Sequence, residues 1–185
     1  QRTRLGLAMV ELGVYAILTY EMLNAMANMI VLPILPFYVL ELGGNAMVVS
    51  SMASTCNLVH MICAPIAGVL SDRMGSKRLL LLGALGQGAV NVLMSFAVSV
   101  PMLLTARTLQ GIFLSTNPVE MSYIMTAAKG EKELSFVLSL QRIMGSAGAL
   151  LGPVIARCFA SFGFRFLCRG VLVINTLNFL MLVIL

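Results

Sequence analysis

Uncharged apolar runs of about 20 residues recur along the whole chain, and nothing else in the sequence restricts its possible folds as much. A run of that length, coiled as a helix, matches the hydrocarbon thickness of a bilayer. Inside lipid, backbone N–H and C=O groups must be bonded within their own segment or around a closed barrel. The runs are continuous rather than alternating in polarity, which excludes the barrel. We therefore expect an all-α membrane protein with spans near 12–37, 46–70, 79–99, 102–125, 134–159 and 169–185. Repetition also rules out reading the first run as a removable signal peptide. Composition agrees, with 59% hydrophobic and only 10% charged residues among 185.

The net charge of +5 would suggest nucleic acid in a soluble protein. Here the bases lie mostly in the short connections between apolar runs, so they report topology and no nucleic-acid partner is expected. Arg2, Arg4, Arg73, Lys77, Arg78, Lys129 and Lys132 fall on one side, Arg165 and Arg169 on the other. The positive-inside rule then places the N-terminus and the 68–83 turn in the cytoplasm. The four cysteines form no disulfide framework. The sequence starts without methionine and ends within the apolar run "NFLMLVIL". A second six-helix bundle, in the same polypeptide or a dimer partner, is the expected opposing surface for the polar groups described next.

Glu21, Asn24 and Asn28 stand three and four residues apart, on one face of the first span. An intramembrane carboxylate is costly enough that it usually faces a wet cavity and serves ion or solute movement. Glu21 therefore reads as a proton carrier, with a carboxylate held by a buried base as the bland alternative. Arg107 and Glu120 in the fourth span are further ionisable candidates, with Gln110 close to Arg107, snorkelling to the outer interface as the alternative for Arg107, and Arg142 either a partner for Glu120 or a neutraliser of the phosphate zone. Gly145, Gly148, Gly152 and Ala156 form a small-residue seam suited to close helix approach, and Pro153 weakens the helix beside it. Cys56, His60 and Cys63 share a face of the second span but lack a fourth ligand nearby, so packing is favoured over metal.

Between the second and third spans, "GVLSDRMGSKRLLLLG" carries Gly68, Leu70, Asp72, Arg73, Gly75, Lys77 and Leu80 in the pattern G-x-L-x-D-R-x-G-[RK]-[RK]-x-x-L. This resembles the turn between helices 2 and 3 of the major facilitator superfamily. "LTARTLQG", with Arg107, Gln110 and Gly111, is similar to the fourth-helix motif of its proton-coupled members. "GALLGPVIA", with Gly148, Gly152 and Pro153, resembles the fifth-helix motif of its drug:proton antiporters, and "VLPILP" and "TLNFL" lean towards the tetracycline-efflux branch. Three motifs in order on the expected helices make a specific signal.

The resemblance implies the N-terminal six-helix half of a twelve-helix fold. It implies that Gly68, Asp72, Arg73, Gly75, Lys77 and Arg78 form a conformational latch, in which Asp72 pairs with groups at helix ends and Gly68 allows close approach. It implies a role for Arg107 in proton transfer or gating; Glu21 and Glu120 stand beside it as proton-coupling candidates, and Asn24, Asn28 and Gln110 as solute-cavity candidates, on their own chemistry and placement. Ser76 replaces a usual base, Thr126 a usual acid for which Glu131 or Glu133 could substitute, and Ala156 and Arg157 a usual glycine pair. Relatives often carry their helix-1 acid nine residues before the first proline of "LPILP", where this chain has Asn24. Glu21 either takes over that role or the coupling is absent.

The leading expectation is a secondary transporter for small organic, amphiphilic solutes, working by alternating access and proton antiport without a cofactor. A uniporter or symporter of sugars, organic anions or other metabolites fits the same fold. A non-transporting membrane partner is the alternative of another class. No nucleophile–base pair or phosphate loop suggests an enzyme.

Overall fold

Proline placement and apolar length account for most helix boundaries in the computed structural model, which describes residues 2–127 and 130–184. Lys129, and the side chains of Arg2, Arg4 and Thr126, lie outside what is described. Helix α1 (Arg2–Val31) stops ahead of Pro33, and α2 (Leu35–Glu41) resumes with Pro36 in its first turn, where a missing N–H costs nothing. Helix α3 (Ala46–Met74) is capped by Asn45, whose Oδ1 accepts from the Val48 amide at 3.0 Å. Helix α4 (Ser76–Ser95) follows after the single residue Gly75. Helices α5 (Val100–Leu114), α6 (Asn117–Ala127), α7 (Glu131–Phe159) and α8 (Phe164–Ile184) complete the chain, with a short 3₁₀ turn at Ala160–Phe162.

Among the described residues, five stretches are long and apolar enough to cross a membrane: Gly13–Glu41, Ala46–Met74, Ser76–Ser95, Glu131–Phe162 and Phe164–Val183. The segment expected as one span over 102–125 is instead two helices, α5 of 15 residues and α6 of 11. The break at Ser115 and Thr116 precedes Asn117-Pro118, a dipeptide whose proline restrains the residue before it from helical geometry. Both hydroxyls turn back onto the end of α5, Ser115 Oγ donating to the Ile112 carbonyl and Thr116 Oγ1 to that of Phe113 at 2.8 Å.

Helix α1 packs chiefly on α7, α4 on α8 and α3 on α5, and α1–α8 and α4–α5 contacts join these pairs. The apolar core has two parts. One surrounds Ile30, Val39, Met52, Met94, Leu103 and Val171; the other surrounds Ile17, Tyr20, Leu80, Val119, Ile124 and Leu182. Along α1, α4, the α5–α6 pair and α8, buried polar residues sit between these two parts: Asn24, then Gln87 and Asn91, then Arg107, Gln110 and Glu120, then Asn175 and Asn178. The outward faces of α3 and α7 expose large apolar side chains such as Met61, Ile66, Leu150 and Val154, as a surface bathed in lipid or covered by another bundle requires.

Candidate functional site

The polar stripe of α1 opens on a cavity of about 460 Å³. Glu21, Asn24 and Asn28 line it from α1, Cys56 and Asn57 from α3, and Arg107 from α5. Helices α3 and α5 approach closely beside it, since a Cβ on Gly111 would run into the Cys56 carbonyl oxygen. Arg107, 7% exposed, donates from Nη1 to Gln110 Oε1. Gln110 Nε2 donates to Asn28 Oδ1 at 3.2 Å, and Asn28 Nδ2 reaches Asn24 Oδ1 at 3.3 Å and its carbonyl at 3.0 Å. A guanidinium is thus held at the cavity wall by a string of amides running from α5 to α1. Gln110 itself is buried behind the wall, where it bridges Arg107 and Asn28 and is not among the residues lining the cavity.

The glycine seam of α7 lies against α1. A Cβ on Gly145 would come within 2.9 Å of Glu21 Oε1, one on Gly152 within 2.6 Å of Met29 Cβ, and one on Gly148 would overlap the Met22 carbonyl. The Glu21 carboxyl group rests over Gly145, and a Cβ there would require that flexible side chain to swing aside. Pro153, next in the seam, is exposed and lines a separate cavity of about 350 Å³ at the far end, with Tyr38, Glu41 and Arg157.

Glu120 stands in the first turn of α6 and is wholly buried. Glu21 is within hydrogen-bonding reach of it, and its Oε2 accepts from Gln141 Nε2 of α7 at 3.4 Å. The expected partner Arg142 is exposed instead, because one residue turns a helix by about 100° and gives the inward position to Gln141.

At the expected latch, Gly75 has φ +87°, a conformation side chains resist, and its amide closes α3 onto the Ser71 carbonyl at 2.9 Å. Ser71 and Ser76 share a hydrogen bond at 3.1 Å across the turn, so Ser76 clips the turn in place of the base. Asp72, Arg73, Lys77 and Arg78 are exposed, and Asp72 has no partner among the described residues. Gly68 corrects the expectation of close packing: a Cβ there would meet open space, because this face of α3 points away from the bundle.

Cys56, His60 and Cys63 do not converge. Cys56 lines the polar cavity, Cys63 lines an apolar pocket with Leu79 and Ile112, and His60 Nε2 is buried without a hydrogen-bond partner. Among the described residues, no three potential metal ligands lie together.

Two groups escaped the sequence reading. Gln87 and Asn91 of α4 and Asn175 and Asn178 of α8 are buried amides on two helices packed together, and each retains an unbonded side-chain atom. A lone amide in an apolar run marks such a position, but only the pairing of α4 with α8 makes them a layer. At the far end, Tyr38 donates to the Ala97 carbonyl at 2.6 Å, accepts from Arg165 Nε at 3.3 Å and stacks on Phe164 with centroids 4.3 Å apart. The prolines on either side of Ile34 and Leu35 were the available signal for this cluster.

Comparison with known proteins places this geometry in a wider set. The sequence profile of the Major Facilitator Superfamily matches residues 17–185. The chain is 32% identical over 157 residues to the bacillibactin exporter of Bacillus subtilis, covering 80% of this chain and 39% of that protein. It is 35% identical over 149 residues to the multidrug resistance protein MdtG of Yersinia enterocolitica, covering 77% and 36% respectively. It spans well under half the length of these relatives. Among solved structures it resembles the peptide transporter POT, with a TM-score of 0.81 at 19% identity over 92% of this chain and 37% of the other. It also resembles the human organic anion transporter TETRAN, with a TM-score of 0.79 at 18% identity over 94% and 46%. A multi-pass helical chain with this profile across nearly all its length belongs to the Major Facilitator Superfamily.

Proposed function

We propose that these residues are the N-terminal half of a secondary transporter that moves small organic, amphiphilic solutes by alternating access, driven by protons moving the opposite way. The observation that carries the reading is Glu21: an acid on the wall of a polar cavity at membrane depth, beside a hydrogen-bonded Arg107. An acid so placed can bind a proton from one side and release it to the other as access alternates. The relatives' names, an exporter and a multidrug resistance protein, support outward movement of small molecules. On this reading the Gly75 turn faces the cytoplasm, and Asp72 and its neighbouring bases latch onto a second bundle that also closes the cavity.

The test is transport by the full-length protein in proteoliposomes with an imposed pH gradient. Solute movement should follow the gradient, and Glu21→Gln should retain binding while losing the response. Transport by the wild type that ignores the gradient would reject antiport. A uniporter or symporter of organic anions is the second reading, favoured by Arg107 on the cavity wall. Counterflow of labelled organic anions without a gradient separates the two.

A further inference from the structure

We propose that the coupling proton is held between two carboxyl groups, Glu21 of α1 and Glu120 of α6, as one shared hydrogen bond, and that Glu120 is therefore part of the proton site. Its role in transport rests on the proton-coupled reading above; the shared proton does not.

Four observations lead here. Glu120 is wholly buried, and on α7 Gln141 bonds its Oε2 while Gly145, one turn on, underlies Glu21 Oε1, which sets the two acids side by side within hydrogen-bonding reach. Two carboxylates in such contact repel unless one carries a proton, which then bonds to the other. Among the described residues, Gln141 donates to Glu120 Oε2 and no amide, hydroxyl or cation reaches Oε1. Tyr20 stands against the pair, and Arg107, the cation on the same cavity wall as Glu21, donates to Gln110 Oε1. Among the described residues, the charged side chains of α3, α4 and α7, including Asp72, Arg73, Lys77, Arg78 and Arg142, are exposed, and His60 is half-buried.

The arrangement also assigns the two roles. Glu120 is wholly buried with Oε1 unbonded, so it is the acid that carries the proton, while its Oε2 accepts from the Gln141 amide. Glu21 lines the cavity, so it accepts the Glu120 O–H and is the group that exchanges protons with the cavity. On release the proton passes from Glu120 to Glu21 and on to the cavity; on uptake it returns by the same path and the bond reforms. Because α6 is separated from α5 by the break at Ser115 and Thr116, the proton ties a half-helix to α1.

The experiment is a pH titration of the full-length protein in lipid nanodiscs, followed by the infrared carbonyl band of protonated carboxyl groups. Difference spectra against the double variant Glu21→Gln/Glu120→Gln isolate the pair from exposed acids. The wild type should lose its two protons in well-separated steps, and either single variant should show one step displaced from both. If Glu120→Gln removes one step and leaves the other where it was, the groups titrate independently and the proposal fails. Glu21→Gln makes the same test from the other side, so one folded variant suffices. Coupled steps in a protein whose transport ignores the pH gradient would reject the antiport reading and leave the shared proton standing.

Discussion

Gln110 reaches across from α5 to bond Asn28 of α1 at 3.2 Å, joining residues 82 positions apart and fixing the orientation of Arg107 through its second amide atom. Hydrogen bonds between membrane helices are individually modest, about 0.6 to 2 kcal/mol. Asn28→Ala and Gln110→Ala should each lower stability by about 1 kcal/mol, with a non-additive term of similar size in the double variant. Thermal unfolding of the full-length protein in detergent measures this. Additive losses would mean that the bond contributes nothing and Arg107 is positioned otherwise.

Glycines of the two family-like motifs need not be equivalent. Gly148 leaves no room for a Cβ against the Met22 carbonyl, whereas Gly68 has open space around it. Gly148→Leu should destabilise by about 3 kcal/mol or prevent folding, through overpacking of α1 on α7. Gly68→Ala should change bundle stability by no more than about 0.5 kcal/mol. If Gly68→Ala alters transport while stability holds, its role lies in contacts outside this bundle.

The Gly75 turn separates backbone need from charge. Gly75→Ala forces a side chain into φ +87° and should cost about 1 to 2 kcal/mol. Ser76→Ala loses only the bond to Ser71 and should cost about 1 kcal/mol or less. Thermal unfolding compares them, and equal losses would mean that the hydroxyl pair matters as much as the glycine.

Much of this fold could be read from local pattern, and much of the site could not. Apolar length foretells helices because lipid leaves the backbone no other partner, and "LPILP" foretells the α1–α2 interruption because proline lacks an N–H. Asn117-Pro118 carried the same kind of signal for the break before α6, yet the surrounding apolar run hid it. Spacing of three and four put Glu21, Asn24 and Asn28 on one face, since that depends only on the helical period. The neighbourhood of Glu21 and Glu120 depends on how α1 and α6 are set against each other, which no local pattern encodes. The choice of Gln141 over Arg142 turned on a rotation of one residue.

Exposure on α3 alternates between the cavity and the core, and this gives a direct test of the cavity in the working protein. Asn57 is exposed and lines the cavity, while Met52, five residues earlier on the same helix, is 1% exposed. In a background with Cys56, Cys63, Cys158 and Cys168 replaced by alanine, Asn57→Cys should react readily with a small charged thiol reagent. Met52→Cys should not, because a buried thiol has neither access nor the hydration its reactive thiolate needs. A transported solute should slow modification of Asn57→Cys, and modification should block transport. Alternating access further predicts that the reactive side, inner or outer, changes with the imposed pH gradient. Equal labelling of both cysteines, or labelling indifferent to solute, would mean that solute passes elsewhere.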